Sequence, residues 1–99
     1  MEKIILFYKF VALPDPTTTM HWQRELCEKL DLSGRIIVTE QGINGTLGGP
    51  IKNVKAYITA MNTHQLFKGI QYKLSDGTAR AFPPFIVKIR PDLVTLAPT

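Results

Sequence analysis

The order of strand-like and helix-like segments is the feature that most limits the folds open to this chain. Short runs rich in β-branched and aromatic residues predict strands, and apolar residues spaced three or four apart predict helices. The predicted strands cover residues 4–11, 35–40, 46–49, 70–74 and 85–90. The predicted helices cover residues 20–31 and 50–62. This order predicts an α+β, ferredoxin-like domain: β-α-β-β-α-β with an extra C-terminal strand, forming an antiparallel sheet with two helices on one face.

Composition restricts the class of protein further. A length of 99 residues allows one domain, so we expect a single domain over residues 1–99. No apolar run approaches the roughly 18 residues that a membrane-spanning helix needs, so no membrane partner is expected. One cysteine, Cys27, cannot form an internal disulfide, which favours a reducing, cytoplasmic location. The formal net charge of +4 suits an anionic partner.

Side-chain alternation sorts each predicted strand into two faces. In the first strand, the set Ile4, Leu6, Tyr8 and Phe10 is assigned to the helices because it is the more apolar one. The open face is then expected to carry Ile37, Thr39 and Gln71 together with a predicted RNA- or anion-binding set: Phe7, Lys9, Arg35, Lys73, Lys88 and Arg90. Two interpretations stay open: a basic surface that binds RNA, or a sheet kept soluble by its charges.

The turn between the second and third strands is a second candidate site. Asn44-Gly45 between two strand-like runs predicts a hairpin turn there, because both residues tolerate positive φ. Glu40, Gly42, Asn44 and Gly45 form a loop that either binds a phosphate with its backbone N–H groups or has only a structural role in the turn.

Metal and catalytic sites are not predicted. His21 and His64 each lack a second ligand at metal spacing. Cys27 lies on the apolar face of the first helix and is expected to be a buried small hydrophobe. The sequence therefore predicts no catalytic residue, no metal and no cofactor.

One sequence pattern is specific enough to indicate a family. The pattern is Glu40-Gln41-Gly42-Ile43-Asn44-Gly45-Thr46, with supporting segments at 8–10, 34–38, 67–70, 75–79 and 87–90. Over nearly the whole chain these segments resemble the N-terminal domain of the rhodanese-type tRNA uridine hydroxylases. The resemblance implies an acylphosphatase-like domain, which in that family is joined to a rhodanese domain carrying the reactive cysteine.

The same resemblance implies a role in tRNA modification. The family hydroxylates the wobble uridine of certain tRNAs at carbon 5, using oxygen. No rhodanese segment follows here, and Asp92-Leu93-Val94-Thr95 stands where the family usually has Glu-Ile-Val-Thr. The chain is therefore either a fragment or a free-standing relative. We expect a tRNA-binding or domain-positioning module, not catalytic alone, whose partners are tRNA and a rhodanese domain.

Two alternatives remain from the residues. One is a small acylphosphate or nucleotide hydrolase, although the place of the acylphosphatase phosphate loop holds Ala12-Leu13-Pro14-Asp15-Pro16 without an arginine. The other is a free-standing protein-interaction module that dimerises through its sheet edges. A monomer or weak dimer is expected.

Overall fold

Five strands form one sheet in the order β4-β1-β3-β2-β5. The computed structural model describes residues 1–77 and the backbone of residues 86–89. The elements are β1 (Glu2–Phe10), α1 (Pro16–Lys29), β2 (Ser33–Thr39), β3 (Gly42–Pro50), α2 (Ile51–Asn62), β4 (Lys73–Asp76) and β5 (Ile86–Ile89). Neighbouring strands are antiparallel, except that β5 runs parallel to β2. The expected ferredoxin-like order is confirmed, with β5 as the extra strand.

Both helix starts differ from the sequence prediction. α1 begins at Pro16, four residues early, because the Asp15 carboxylate accepts hydrogen bonds from the Thr18 N–H (3.2 Å) and the Thr18 hydroxyl (2.6 Å). Those bonds satisfy a free N–H of the first turn and lower the pKa of Asp15. Pro50 precedes α2 as its N-cap residue, so α2 begins at Ile51.

The face assignment of β1 was wrong. Ile5 and Phe7 are buried under the helices, whereas Leu6, Tyr8 and Phe10 are 37%, 50% and 55% exposed on the other side. Both faces of this strand are apolar, so alternation by itself cannot say which face is covered. The neighbouring strand β3 offers space for a large side chain on the covered face. Phe7 pairs with Gly45 of β3, and the Phe7 ring occupies the space over that glycine.

The core lies between the helices and one face of the sheet. α1 packs over β2 and β5, and α2 packs over β1 and β3. At the helix interface, the Tyr57 hydroxyl donates to Gln23 Oε1 at 2.6 Å, and Gln23 Nε2 contacts Met61 Sδ at 3.2 Å. Burial raises the pKa of Tyr57 well above its usual value, so its hydroxyl remains a donor. Neither described helix is long and apolar enough to cross a membrane.

We expect Tyr57→Phe to lower the free energy of unfolding by about 1–3 kcal/mol, because Gln23 Oε1 would be left buried without its donor. Urea denaturation followed by circular dichroism measures the change. Tyr72→Phe is the matched control, since the buried Tyr72 hydroxyl has no hydrogen-bond partner within residues 1–77 and its removal should cost little. Equal losses of unfolding free energy in the two variants would contradict a stabilising role for the hydrogen bond between Tyr57 and Gln23.

Candidate nucleic-acid interface

The helix-free face of the sheet is defined by its register. Residues paired directly across neighbouring strands share a face. The row through Leu6 contains Lys73 of β4 on one side, and Thr46 of β3 and then Arg35 of β2 on the other. The next two rows are Tyr8–Asn44–Ile37 and Phe10–Gly42–Thr39.

Two of the predicted basic residues lie on this face. Arg35 and Lys73 occupy the same row as Leu6, on opposite sides of it, and both are exposed. Within the described part of the chain neither forms an ion pair. Lys88 pairs with Ile37 in the backbone register of β5. Arg90 lies outside the described residues.

Two other predicted site residues are on the wrong face for this surface. Phe7 is only 4% exposed and packs against Tyr57 and Tyr72 at ring-centroid distances of 5.8 and 5.2 Å. Lys9 points the same way, and its Nζ donates to the carbonyl oxygens of Leu66 (3.0 Å) and Lys68 (3.4 Å). Lys9 therefore satisfies carbonyl groups in the turn after α2. Both residues were predicted on the helix-free face because the two faces of β1 were assigned the wrong way round.

The helix-free face is not equally exposed along its length. Ile37 and Thr39, which were expected to be exposed, have exposed fractions of 8% and 0%. Thr39 also accepts a hydrogen bond at Oγ1 from the Gln41 N–H (3.0 Å). The accessible part of this face therefore lies along β1, with Lys73 on the adjacent strand β4 and Arg35 two strands away on β2.

The hairpin prediction was wrong by several residues. The turn consists of Glu40 and Gln41, and β3 already begins at Gly42, whose φ is +150°. Asn44 and Gly45 lie inside β3, which pairs with β1 on one side and β2 on the other. A phosphate cradle at these residues is excluded, because the N–H groups of a central strand serve the two ladders.

The two-residue turn instead holds the loop that follows β1. The Glu40 carbonyl accepts from the Leu13 N–H at 3.0 Å, and the Gln41 carbonyl accepts from the Val11 N–H at 2.9 Å. The loop's own acid, Asp15, caps α1. A proline-rich loop with a carboxylate and no arginine disfavours a phosphate ligand there.

Tyr8 and Phe10 are the residues that sequence reasoning missed. Their exposed rings stand 5.9 Å apart with an interplanar angle of 79°, an edge-to-face pair. The nearest signal is the pairing of a large aromatic residue with a glycine. Phe7 opposite Gly45 satisfies that rule on the covered face, but Phe10 opposite Gly42 satisfies it on the other face, so the pairing by itself does not identify the covered side.

A groove runs along β1 beside residues 69–73. It consists of two adjoining depressions of about 340 and 320 Å³ that share Tyr8 and Gln71 in their linings. Phe10 and Lys9 line the first, and Phe7 and Lys73 line the second. The groove therefore follows the edge of β1 beyond its pairing with β4, which ends at Leu6, and includes residues of both faces. Among the described residues that line the two depressions, none is acidic. No cluster of three metal-ligating side chains occurs among the residues that the structure describes.

The order of the elements and the sheet order β4-β1-β3-β2-β5, with both helices on one face, define a ferredoxin-like α+β module. The accessible part of its other face carries aromatic and basic residues. The chain belongs to the family described as the UPF0176 acylphosphatase like domain, whose family model matches residues 2–93. The resemblance inferred from Glu40–Thr46 is thereby confirmed.

Curated relatives are much longer proteins. The tRNA uridine(34) hydroxylase of Corynebacterium diphtheriae is 47% identical over 93 residues, covering 94% of this chain and 30% of that protein. That of Pseudarthrobacter chlorophenolicus is 47% identical over 95 residues, covering 96% and 32%. This chain thus spans about three tenths of the length of the relatives it matches.

Solved structures agree on the fold. BlrB, a BLUF protein in its dark state, has a TM-score of 0.71 at 23% identity and covers 98% of this chain and 80% of that one. Acylphosphatase from Bacillus subtilis has a TM-score of 0.67 at 12% identity, covering 91% and 99%. Likenesses at this level of identity establish the architecture and no activity.

We expect Gly45→Ala to lower the free energy of unfolding by about 1–3 kcal/mol, as overpacking does. A Cβ there would lie 2.4 Å from Phe7 Cζ, and the ring that fixes the face of β1 would have to move. Gly49→Ala is the matched control, because its Cβ would approach the end of the Leu32 side chain at 2.7 Å and would meet backbone atoms, the nearest being the Asp31 carbonyl oxygen at 3.5 Å, only at ordinary contact distances. Urea denaturation of both variants provides the comparison. If Gly45→Ala is no less stable than Gly49→Ala, the packing of Phe7 over Gly45 does not determine which face of β1 is buried.

Proposed function

We propose that this chain is a tRNA-binding module of a tRNA-modifying protein and that the helix-free face of its sheet contacts the tRNA. The observation that carries the proposal is the 47% identity, over nearly the whole chain, to proteins named tRNA uridine(34) hydroxylase. Phosphate contacts by lysine and arginine dominate the affinity of most nucleic-acid interfaces. Arg35 and Lys73 supply two such cations on the accessible face.

The chemistry of hydroxylation is assigned to the part of the longer relatives that this chain does not span. Cys27 supports that division, because burial raises the pKa of its thiol to about 12 and only the thiolate is a nucleophile. The alternative of an acylphosphate hydrolase has only the fold in its favour, since the loop after β1 lacks the arginine that such a site needs. The module is proposed to present tRNA to a catalytic rhodanese domain.

Arg35→Ala combined with Lys73→Ala should weaken tRNA binding roughly tenfold at moderate salt, because two phosphate contacts are lost. The slope of log K against log salt concentration should become shallower by about 0.7–0.9 for each contact removed. Fluorescence anisotropy of a labelled anticodon stem-loop, titrated at several salt concentrations, measures both quantities.

Arg24→Ala combined with Lys52→Ala is the charge-matched control. These residues are exposed on α1 and α2, away from the helix-free face. Equal weakening by the two double variants would show that net charge, and not this face, drives binding. Binding by the parent chain that is insensitive to salt would oppose the electrostatic proposal.

A further inference from the structure

We propose that the groove along β1 binds an unpaired stretch of RNA, with bases stacked on Tyr8 and Phe10. The inference rests on the proposed function and deepens it by naming the nucleic-acid form that this face selects. Exposed aromatic rings on a sheet stack on bases of single strands, whereas the bases of a duplex are already stacked on one another.

The two rings are arranged to receive flat ligands. In this edge-to-face pair the edge of one ring lies against one face of the other. Tyr8 and Phe10 nevertheless remain about half exposed. Large aromatic residues that are exposed side by side, together with Leu6 in the preceding row, are of the kind that marks a binding surface. Tyr8 also has a hydroxyl for hydrogen bonding beyond the stacked base.

The spacing of the rings favours separated bases. The centroids of the two rings lie 5.9 Å apart and the ring planes are inclined at 79°, whereas successive nucleotides along a duplex strand are spaced by roughly 3.4 Å with parallel bases. One base on each ring therefore requires the two bases to be unstacked from each other. A flexible single strand satisfies that condition at low cost, and a duplex does not.

The groove also contains the polar groups that an RNA chain needs. Gln71 lies at the junction of the two depressions, where its amide can donate to and accept from a base edge. Lys73 lines one end and has no ion-pair partner among the residues that the structure describes, whereas Lys9 is already bonded to two carbonyl groups. Lys73 is therefore the lysine assigned to a phosphate, and the absence of an acidic lining residue suits a polyanion.

The charge of Lys73 distinguishes RNA from an apolar protein surface as the ligand of this groove. Such a surface would cover Leu6, Tyr8 and Phe10 equally well, but it would desolvate Lys73 without an anion to compensate. A phosphate chain with unpaired bases matches both the rings and the cation. We therefore assign the groove to RNA and leave the apolar partner as an outcome of the test.

The experiment measures binding of the 99-residue chain to a labelled ten-nucleotide oligouridine, to a duplex RNA of the same length and to the anticodon stem-loop, by fluorescence anisotropy. The parent chain should prefer the oligouridine to the duplex. Tyr8→Ala and Phe10→Ala should each weaken oligouridine binding roughly tenfold, as loss of one stacked base does. Tyr8→Phe, which retains the ring, should bind within about twofold of the parent.

Leu74→Ala is the matched control. Leu74 is 47% exposed on β4, but it pairs with Ile5 and so belongs to the other face of the sheet. It should bind RNA as the parent does. Because all three substituted side chains are exposed, the variants should fold, and circular dichroism verifies this.

The outcomes separate the two proposals. If the alanine variants bind oligouridine like the parent, or the parent prefers the duplex, the groove assignment is overturned. Binding of the stem-loop that still depends on Arg35 and Lys73 would preserve the proposed function in that case. If the chain binds none of the three RNAs, both proposals fail, and the apolar partner becomes the explanation of the exposed rings.

Discussion

The packing of the Phe7 ring over Gly45 is the contact on which the surface of this domain depends. β1 is apolar on both faces, and either face could have been covered by the helices. Gly45 has no side chain, and a Cβ in its place would lie within 2.6 Å of two ring atoms of Phe7. The glycine thus creates space for one aromatic ring at the centre of the sheet, and the Phe7 ring occupies that space on the buried face of β1.

The burial of this face determines what the other face presents. Because side chains alternate along a strand, burying Ile5 and Phe7 exposes Leu6, Tyr8 and Phe10. Arg35 and Lys73 join the same face through the register of β2 and β4. The contiguous exposed apolar surface is of the kind that marks an interaction site. An aromatic and basic surface therefore follows from a packing contact on the opposite side of the sheet.

The fold alone does not indicate the proposed function. The chain shares its architecture with an acylphosphatase and with a BLUF protein at low sequence identity. The site that distinguishes an acylphosphatase is replaced here by a proline-rich loop whose carboxylate caps α1. Function is carried by particular surfaces, and the same two-helix sheet supports different ones in these relatives.

The sequence alone determined the element order, the ferredoxin-like topology and the family, because local periodicity and the Glu40–Thr46 pattern are properties of the chain itself. It also placed Arg35 and Lys73 correctly, since each lies on a strand whose opposite face is clearly more apolar. It failed for Phe7 and Lys9, and it placed the β2–β3 turn at Asn44-Gly45 because that dipeptide is also suited to a turn. Only the tertiary structure decided these points. Burial of a strand with two apolar faces depends on the residue paired across the sheet, and that pairing does not exist until the strands have come together.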